Sequence, residues 1–400
     1  MTVARNGLPR ALWALMVGNF VIGTGVMVVP GTLNDISHSL GVSIPQAGQL
    51  ITAAAIMMGL GAPLFASLVA GWDRRRLLTL SLVWYGVLLM CCALAPNYAA
   101  LLPLRVLAVI APAVFTPQAA ASVGLLVGPS QRGRAITFIF LGWSVASVMG
   151  MPLSAWISGE LGWRWAFGLV ALTAFLSGAW VWREMPDGIK PAALSREAWG
   201  RTVGSAPLMV AVAVTLLSAF GQFTLFSYFA PYLAQTLGAG GALLSLIFLW
   251  FGVFGLAGNV AVTRFIDRIG AANATFITLG TIVLSLLLWP LGRHGFWAQA
   301  FVMIPWALGC FSSNSSQQAR LVQISPELAS ATVALNTSAM YGGQALGAAL
   351  GGVMIAQGRM LDLHQVGLVV LLVAMAVSVW AARLQKRSEA LVRGQVTPLP

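Results

Sequence analysis

Charged residues are scarce in this chain of 400 residues. Only 8% of the side chains are charged, whereas about a quarter are charged in soluble globular domains. Hydrophobic residues make up 58% of the sequence. This composition excludes an ordinary soluble protein and indicates a protein that lies almost entirely within a membrane.

Cysteine is also rare, and all three cysteines, Cys91, Cys92 and Cys310, lie in apolar segments. Adjacent Cys91 and Cys92 would point to different faces of a helix, so the sequence implies neither a disulfide nor a metal site. No cofactor is implied either.

Apolar segments of membrane-spanning length recur along the whole chain. A helix needs roughly 20 apolar residues to cross the hydrocarbon core. The predicted fold class is therefore an all-α membrane protein with twelve transmembrane helices. The predicted spans are 11–33, 46–69, 77–95, 100–127, 135–158, 163–183, 206–235, 242–264, 272–292, 296–319, 328–356 and 363–383.

The basic residues fall mainly on one side of these spans. With the N-terminus in the cytoplasm, all but four of the 22 Lys and Arg residues lie on the cytoplasmic side. Arg164, Arg293 and Arg359 lie outside, and Arg105 lies within a span. The positive-inside rule then predicts that both termini are cytoplasmic. Because the net charge of +12 is scattered rather than gathered into one patch, we expect no nucleic-acid partner.

A polar stretch, 184–205, divides the spans six and six. The basic loops have nearly the same separation in both parts, Arg74 to Arg132 in one and Arg264 to Arg320 in the other. We expect an N-terminal six-helix half at 1–183, a cytoplasmic linker at 184–205 and a C-terminal six-helix half with a short tail at 206–400. In transporters, such a repeat indicates two pseudo-symmetric halves that rock around a central pathway.

Three segments carry a family resemblance: "LLPLRVLAVIAPAVFTPQAAA" (101–121), "RGRAITFIFLGWSVASVMGMPLSAWISGELGWRWAF" (132–167) and "ARLVQISPELASATVALNTSAMYGGQALGAALGG" (319–352). The chain resembles the major facilitator superfamily along its full length, and most of all its twelve-span drug-efflux and arabinose-efflux-like branch. The resemblance implies the major facilitator fold and places Arg105 at the motif arginine of the fourth span.

Three features depart from the family's pattern. The loop after the second span lacks the acidic member, although Asp73 is adjacent. The first span has Val26 where the efflux branch often has an acidic residue, and Asn34 where a proline is common. Because the first span lacks this acid, the sequence does not show whether transport is coupled to protons in the way usual for the family. The loop positions concerned are Ala66, Ala70, Arg74 and Arg75.

Two charged residues are candidates for coupling or gating. A charge within a span costs at least about 2.5–3.5 kcal/mol unless it is paired or wetted, so we expect Arg105 to act in coupling; the alternative is an arginine that snorkels to the headgroups. No carboxylate or histidine lies in the middle of a span. Asp35 is then the remaining candidate for a proton site, with Arg105 as its partner; the alternative is a solvated loop acid.

Four further residues are candidates for conformational roles. Gly150 permits close helix approach, and Pro152 removes one backbone hydrogen bond and bends the fifth span. Asp267 and Arg268 retain part of a cytoplasmic-loop signature and are expected to latch one conformation through contacts with helix ends. Plain packing and topology charges are the respective alternatives.

The candidate substrate cavity is polar and nearly uncharged. Interhelical hydrogen bonding is the alternative for each of its residues, because polar groups in lipid must be satisfied. The candidates are Asn19, Thr116, Gln118, Ser144, Ser218, Gln222, Asn336, Met340, Tyr341 and Gln344.

These features predict a secondary active transporter of the bacterial inner membrane. We expect it to export a small organic compound by alternating access as a monomer, with protons as the coupling ion; uptake or facilitated diffusion of a neutral solute is the alternative. A membrane enzyme would need a nucleophile with its base or a metal cluster, and the isolated pair Asp362 and His364 provides neither.

Overall fold

A computed structural model describes residues 9–69, 71–128, 131–190, 196–325 and 328–394. Residues 191–195 of the predicted linker and Ala70 of the family loop lie outside these ranges. The helices are α1 (Arg10–Leu40), α2 (Ile44–Leu68), α3 (Arg74–Ala93), α4 (Tyr98–Ala108), α5 (Ile110–Leu126), α6 (Arg132–Leu161), α7 (Trp163–Glu184), α8 (Arg196–Gly204), α9 (Ala206–Phe226), α10 (Phe229–Leu237), α11 (Gly241–Ile269), α12 (Ala271–Leu288), α13 (Phe296–Val302), α14 (Ile304–Ile324), α15 (Ala329–Ala356) and α16 (Leu363–Gly394).

The prediction of twelve membrane spans is confirmed: the described residues contain 12 helical segments long and apolar enough to cross a membrane. Three spans consist of two helices each, namely α4 with α5, α9 with α10, and α13 with α14. The breaks fall at Val109, at Ser227–Tyr228 and at Met303. Each break is followed within three residues by a proline, which cannot donate a backbone hydrogen bond to the preceding turn.

The first span is longer than predicted. Helix α1 continues beyond residue 33 to Leu40, so Asp35 and His38 lie on the helix and not in a loop. It ends at Gly41, whose φ of 64° is a left-handed conformation that glycine adopts without steric cost. The N–H of Gly41 bonds to the carbonyl of His38 and closes the last turn.

Two spans also extend further at the predicted cytoplasmic side. Helix α11 runs to Ile269 and therefore carries Asp267 and Arg268, which were expected in a loop. Helix α14 runs to Ile324 and carries Arg320, which is buried in the protein. Its guanidinium donates to the hydroxyl oxygen of Ser378 at 3.0 Å and to the Ser378 carbonyl at 3.1 Å. Arg320 is thus a buried side chain and not a loop charge.

The chain divides into two compact units. One comprises Met1–Ala193 and Ala239–Leu249, and the other comprises Leu194–Gly238 and Trp250–Pro400. Within the first unit, α1 packs most extensively against α6, and α3 packs against α7. Within the second unit, α9 packs most extensively against α15 and α16, and α12 packs against α14. Close packing of the first span on the fifth thus has its counterpart in the seventh span on the eleventh.

Glycines allow both of these helix pairs to approach closely. In α6, a Cβ atom on Gly150 would lie 3.2 Å from the Cα of Thr24 in α1. In α15, a Cβ atom on Gly347 would lie 2.6 Å from the Phe220 carbonyl and 2.7 Å from the Thr224 nitrogen of α9. Small residues at such interfaces let two backbones pack in lipid, where hydrophobicity cannot drive apolar helices together.

Candidate functional site

Arg105 is buried in the first unit, with 2% of its surface exposed. Helix α4 directs the guanidinium at the backbone of α1. Its Nη1 donates to the carbonyl of Gly25 at 3.0 Å, and its Nη2 lies 3.4 Å from the carbonyl of Val26. The side chain therefore binds another helix, and the snorkelling alternative does not describe its position.

Pro30 explains why a carbonyl of α1 is available to Arg105. Proline has no N–H, so the carbonyl four residues earlier, at Val26, loses its helical partner. The Tyr85 hydroxyl of α3 packs against Gly25, where a side chain would overlap it. Arg105 and Tyr85 thus both contact the α1 backbone just before Pro30. Val26, where the efflux branch often has an acid, contributes its backbone oxygen.

Asp35 does not pair with Arg105. Its carboxylate, half-buried on α1, accepts a short hydrogen bond from the hydroxyl of Ser158 on α6. The alternative that Asp35 is a solvated loop acid is wrong, and so is the expected Asp35–Arg105 pair. Asp35 joins the first span to the fifth near one end of α1.

A hydrogen-bonded network joins three spans of the first unit. The indole N–H of Trp143 donates to Thr116 at 3.1 Å, and the Thr116 hydroxyl donates to the Asn19 side-chain oxygen at 2.9 Å. The Asn19 amide in turn donates to the Ile139 carbonyl at 3.1 Å. Asn19 is fully buried, whereas Thr116 and Trp143 are half-buried. Asn19 thus makes the interhelical hydrogen bonds that the alternative interpretation predicts, whereas Thr116 and Trp143 retain some exposed surface.

The second unit contains a comparable network on the corresponding spans. The Thr215 hydroxyl of α9 donates to the Asn336 side-chain oxygen of α15 at 2.5 Å, and the Asn336 amide donates to Asn314 of α14 at 3.3 Å. Gln317 of α14 donates to the Ala211 carbonyl at 2.6 Å. Amide and threonine side chains thus connect the first, fourth and fifth spans in one unit. In the other unit they connect the seventh, tenth and eleventh spans.

Gln222 and Ser218 lie beside an aromatic cluster. The Gln222 amide donates to the Ser218 hydroxyl oxygen at 3.0 Å, and its side-chain oxygen accepts from the indole of Trp306 at 3.3 Å. The Trp306 ring lies 5.3–5.9 Å, centroid to centroid, from four other rings of the second unit. These are Phe226, Phe229, Phe251 and Trp289. All five rings are buried, so the cluster is a packed aromatic core with one amide at its edge.

The other cavity candidates differ in how deeply they are buried. Gln118, Tyr341 and Gln344 are buried, and Met340 is half-buried. The half-buried Ser144 hydroxyl bonds back to the Phe140 carbonyl of its own helix at 3.5 Å.

The remaining candidates have different surroundings. The Pro152 carbonyl accepts from the Ser245 hydroxyl at 2.8 Å within the first unit. Asp267 and Arg268 are exposed, and neither forms a hydrogen bond or ion pair with another described residue. Their expected latch contacts are therefore not made here.

Asp362 and His364 have structural contacts. The Asp362 carboxylate pairs with Arg359 at 3.2 Å, and the His364 ring nitrogen Nδ1 lies 2.9 Å from the Leu361 carbonyl. Within the described residues no three metal-binding side chains come together.

Sequence reasoning missed Pro30, Tyr85, Trp143, Ser158 and Ser245. Pro30 carried a readable signal, because a proline within a span frees a carbonyl that another group must satisfy. The other four are ordinary membrane-helix residues, and only the rotation of their helices shows what they contact.

Comparison with known proteins gives one family. The family model described as Major Facilitator Superfamily matches residues 15–348. The inner membrane transport protein YdhP of Escherichia coli (strain K12) is 28% identical over 347 residues, which cover 87% of this chain and 89% of that protein. A chloramphenicol efflux pump of Mycobacterium tuberculosis (strain CDC 1551 / Oshkosh) is 32% identical over 273 residues, covering 67% of this chain and 66% of the pump.

A solved structure shares the fold. The crystal structure of a D-xylose-proton symporter superposes with a TM-score of 0.74 at 16% sequence identity, covering 92% of this chain and 96% of that chain.

Proposed function

The chain belongs to the major facilitator superfamily, and we propose that it exports a small, uncharged or amphipathic organic compound from a bacterial cytoplasm. Export proceeds by alternating access and is driven by exchange for protons. The protein works as a monomer in the inner membrane, with both termini in the cytoplasm. Its partners are the substrate, the proton and the lipid bilayer.

The observation that carries this proposal is the chemistry of the two networks. The half-buried groups of these networks are a hydroxyl, an indole and an amide, those of Thr116, Trp143 and Asn314. No carboxylate is among the side chains that these networks connect. Such groups bind neutral compounds by hydrogen bonds and apolar contact, and they offer a dication no counter-charge.

One relative, a chloramphenicol efflux pump, supports the direction and the substrate class. Another, an inner membrane transport protein, supports the proposed membrane. Chloramphenicol is an uncharged molecule, so it fits the proposed class and serves as the first compound to test.

The test uses everted membrane vesicles, in which export appears as uptake into the lumen. With an acidic lumen, vesicles that contain the protein should accumulate labelled chloramphenicol, or another member of a panel of uncharged antibiotics and metabolites, above its external concentration. Vesicles without the protein are the control. Collapse of the pH gradient by an ionophore should release the accumulated compound.

Facilitated diffusion is the second candidate, because no acid lies in the middle of a span. In that case the protein speeds equilibration of the compound, and the pH gradient changes neither the rate nor the final level. Failure of the whole panel to move under any gradient would contradict both functions.

A further inference from the structure

We propose that the predicted cytoplasmic end of α3 binds the headgroup of an anionic phospholipid. A cavity of about 320 Å³ lies there, lined by Gly71, Trp72, Asp73, Arg76, Leu80 and Lys190. It is separate from both polar networks and from the proposed transport function.

Backbone hydrogen bonds position the two cations of this cavity. Asp73 caps α3 by accepting from the Arg76 N–H at 3.2 Å, and its other oxygen accepts from the Gly188 N–H at 2.7 Å. The Arg74 N–H donates to the Ile189 carbonyl at 2.9 Å. These bonds hold the chain after α7 against the start of α3 and bring Lys190 to the cavity that Arg76 lines.

The two neighbouring arginines, Arg74 and Arg75, already have partners within the protein. Arg74 donates to the carbonyls of Val69 and Trp72, both at 3.0 Å. Arg75 donates to the Trp182 carbonyl at 2.7 Å, stacks on the Trp182 ring at 4.4 Å and lies 4.0 Å from Asp187.

By contrast, Arg76 and Lys190 are exposed, and neither side chain makes a hydrogen bond or ion pair with another described residue. Both oxygens of Asp73 already accept backbone N–H groups. The cavity therefore has two cations available for an anion, and a phosphate matches them as a hydrogen-bond acceptor.

An apolar strip identifies a lipid as the source of that phosphate. Exposed apolar residues continue from Arg76 along one face of α3, at the i+4, i+7, i+8 and i+11 spacing of a helical stripe. They are Leu80, Val83, Trp84 and Val87. Trp72, 51% exposed, lies beside the cations, as aromatic residues do at a membrane interface. A headgroup in the cavity would let its acyl chain follow this strip, whereas a free anion would make no use of it.

The experiment measures lipid binding to delipidated protein in an uncharged detergent by native mass spectrometry. The probes are phosphatidylglycerol and phosphatidylcholine with identical acyl chains. The cavity variant is Arg76→Gln with Lys190→Gln. The matched control is Arg383→Gln with Lys386→Gln, which removes the same two charge types from exposed positions of α16.

Phosphatidylglycerol affinity should fall about thirtyfold in the cavity variant, the factor that corresponds to two cations at a membrane surface. It should stay unchanged in the matched control. Phosphatidylcholine should bind more weakly than phosphatidylglycerol to the wild type and equally to all three proteins. If the cavity variant has a lower unfolding temperature, the single variant Lys190→Gln, whose position lies outside any helix, replaces it. Its phosphatidylglycerol affinity should fall about fivefold.

Three outcomes would overturn the proposal. Unchanged phosphatidylglycerol binding in the cavity variant would show that the cavity is not the site. Equal losses in both double variants would show general surface attraction. Displacement of phosphatidylglycerol by excess inorganic phosphate would show a small-anion site in place of a lipid site.

Discussion

Arg105 occupies a position where an unpaired charge would cost at least about 2.5–3.5 kcal/mol. Two backbone carbonyls of α1 meet its guanidinium, and Pro30 leaves one of them without a helical donor. The planar fork of arginine can reach both oxygens at once, whereas a lysine ammonium presents a single charged group. Arg105 therefore joins the fourth span to the backbone of the first span just before Pro30.

Arg105→Ala should lower the transport rate about tenfold or more, since a hydrogen bond to a charged group is worth about 1.5–3 kcal/mol. Arg105→Lys should retain part of the rate. The measurement is initial uptake in everted vesicles, normalised to the amount of protein, with Arg383→Ala as an exposed control. Full transport by Arg105→Ala would leave the residue without a role in the cycle.

Asp35 is the proposed proton site, because it is half-buried on a span and bonded to a neighbouring helix. Asp35→Asn should abolish uphill transport driven by a pH gradient and leave downhill exchange intact, since an amide keeps the shape but carries no exchangeable charge. Ser158→Ala, which keeps the carboxylate, is the matched control and should still concentrate substrate. Uphill transport by Asp35→Asn would place coupling elsewhere.

At the scale of the element, helix pairs in each unit depend on close backbone approach. In α15, Gly347 has backbone atoms of α9 where a side chain would be. Gly342, five residues earlier, has only the Leu216 side chain at 3.9 Å. A side chain would therefore collide with α9 at Gly347 but would find space at Gly342.

Gly347→Ala should destabilise the protein by about 1–3 kcal/mol, the usual cost of overpacking. Gly342→Ala should leave the unfolding temperature in detergent unchanged or slightly higher, because alanine has a higher helix propensity than glycine. At Gly342 the added methyl group meets no close neighbour. Thermal unfolding of the two purified variants is the measurement. Equal unfolding temperatures would show that α9 and α15 can separate without loss.

At the scale of the whole molecule, the distribution of basic residues predicts which side of the membrane each loop faces. Single cysteines at Glu197 and His294, both exposed, test this in a background without Cys91, Cys92 and Cys310. An impermeant maleimide should label the His294 position on intact cells and the Glu197 position only after permeabilisation. Labelling of both from outside would contradict the proposed topology.

The proposed twofold repeat also belongs to this scale. An experimental structure should superpose residues 11–183 on 206–383 through an axis along the membrane normal. Different helix order in the two parts would contradict the repeat. The similar helix pairings inside each unit are the observation that supports it.

Hydropathy by itself determined the twelve spans, because lipid accepts only long apolar helices whose backbone groups are bonded internally. The sequence also marked Arg105 as unusual and Gly150 of the fifth span as a residue that permits close helix approach. Helix ends were less predictable: Asp35, Asp267 and Arg320 lie on helices that continue past the apolar region.

Only the tertiary structure decided the partners of the polar residues. Arg105 binds carbonyls of α1 and not Asp35, and Asn19 closes a network with Thr116 and Ile139. A hydrogen bond between helices requires that their rotation and axial register bring two groups within about 3 Å. Rotation and register follow from packing along the whole interface, so no local pattern in the sequence contains them.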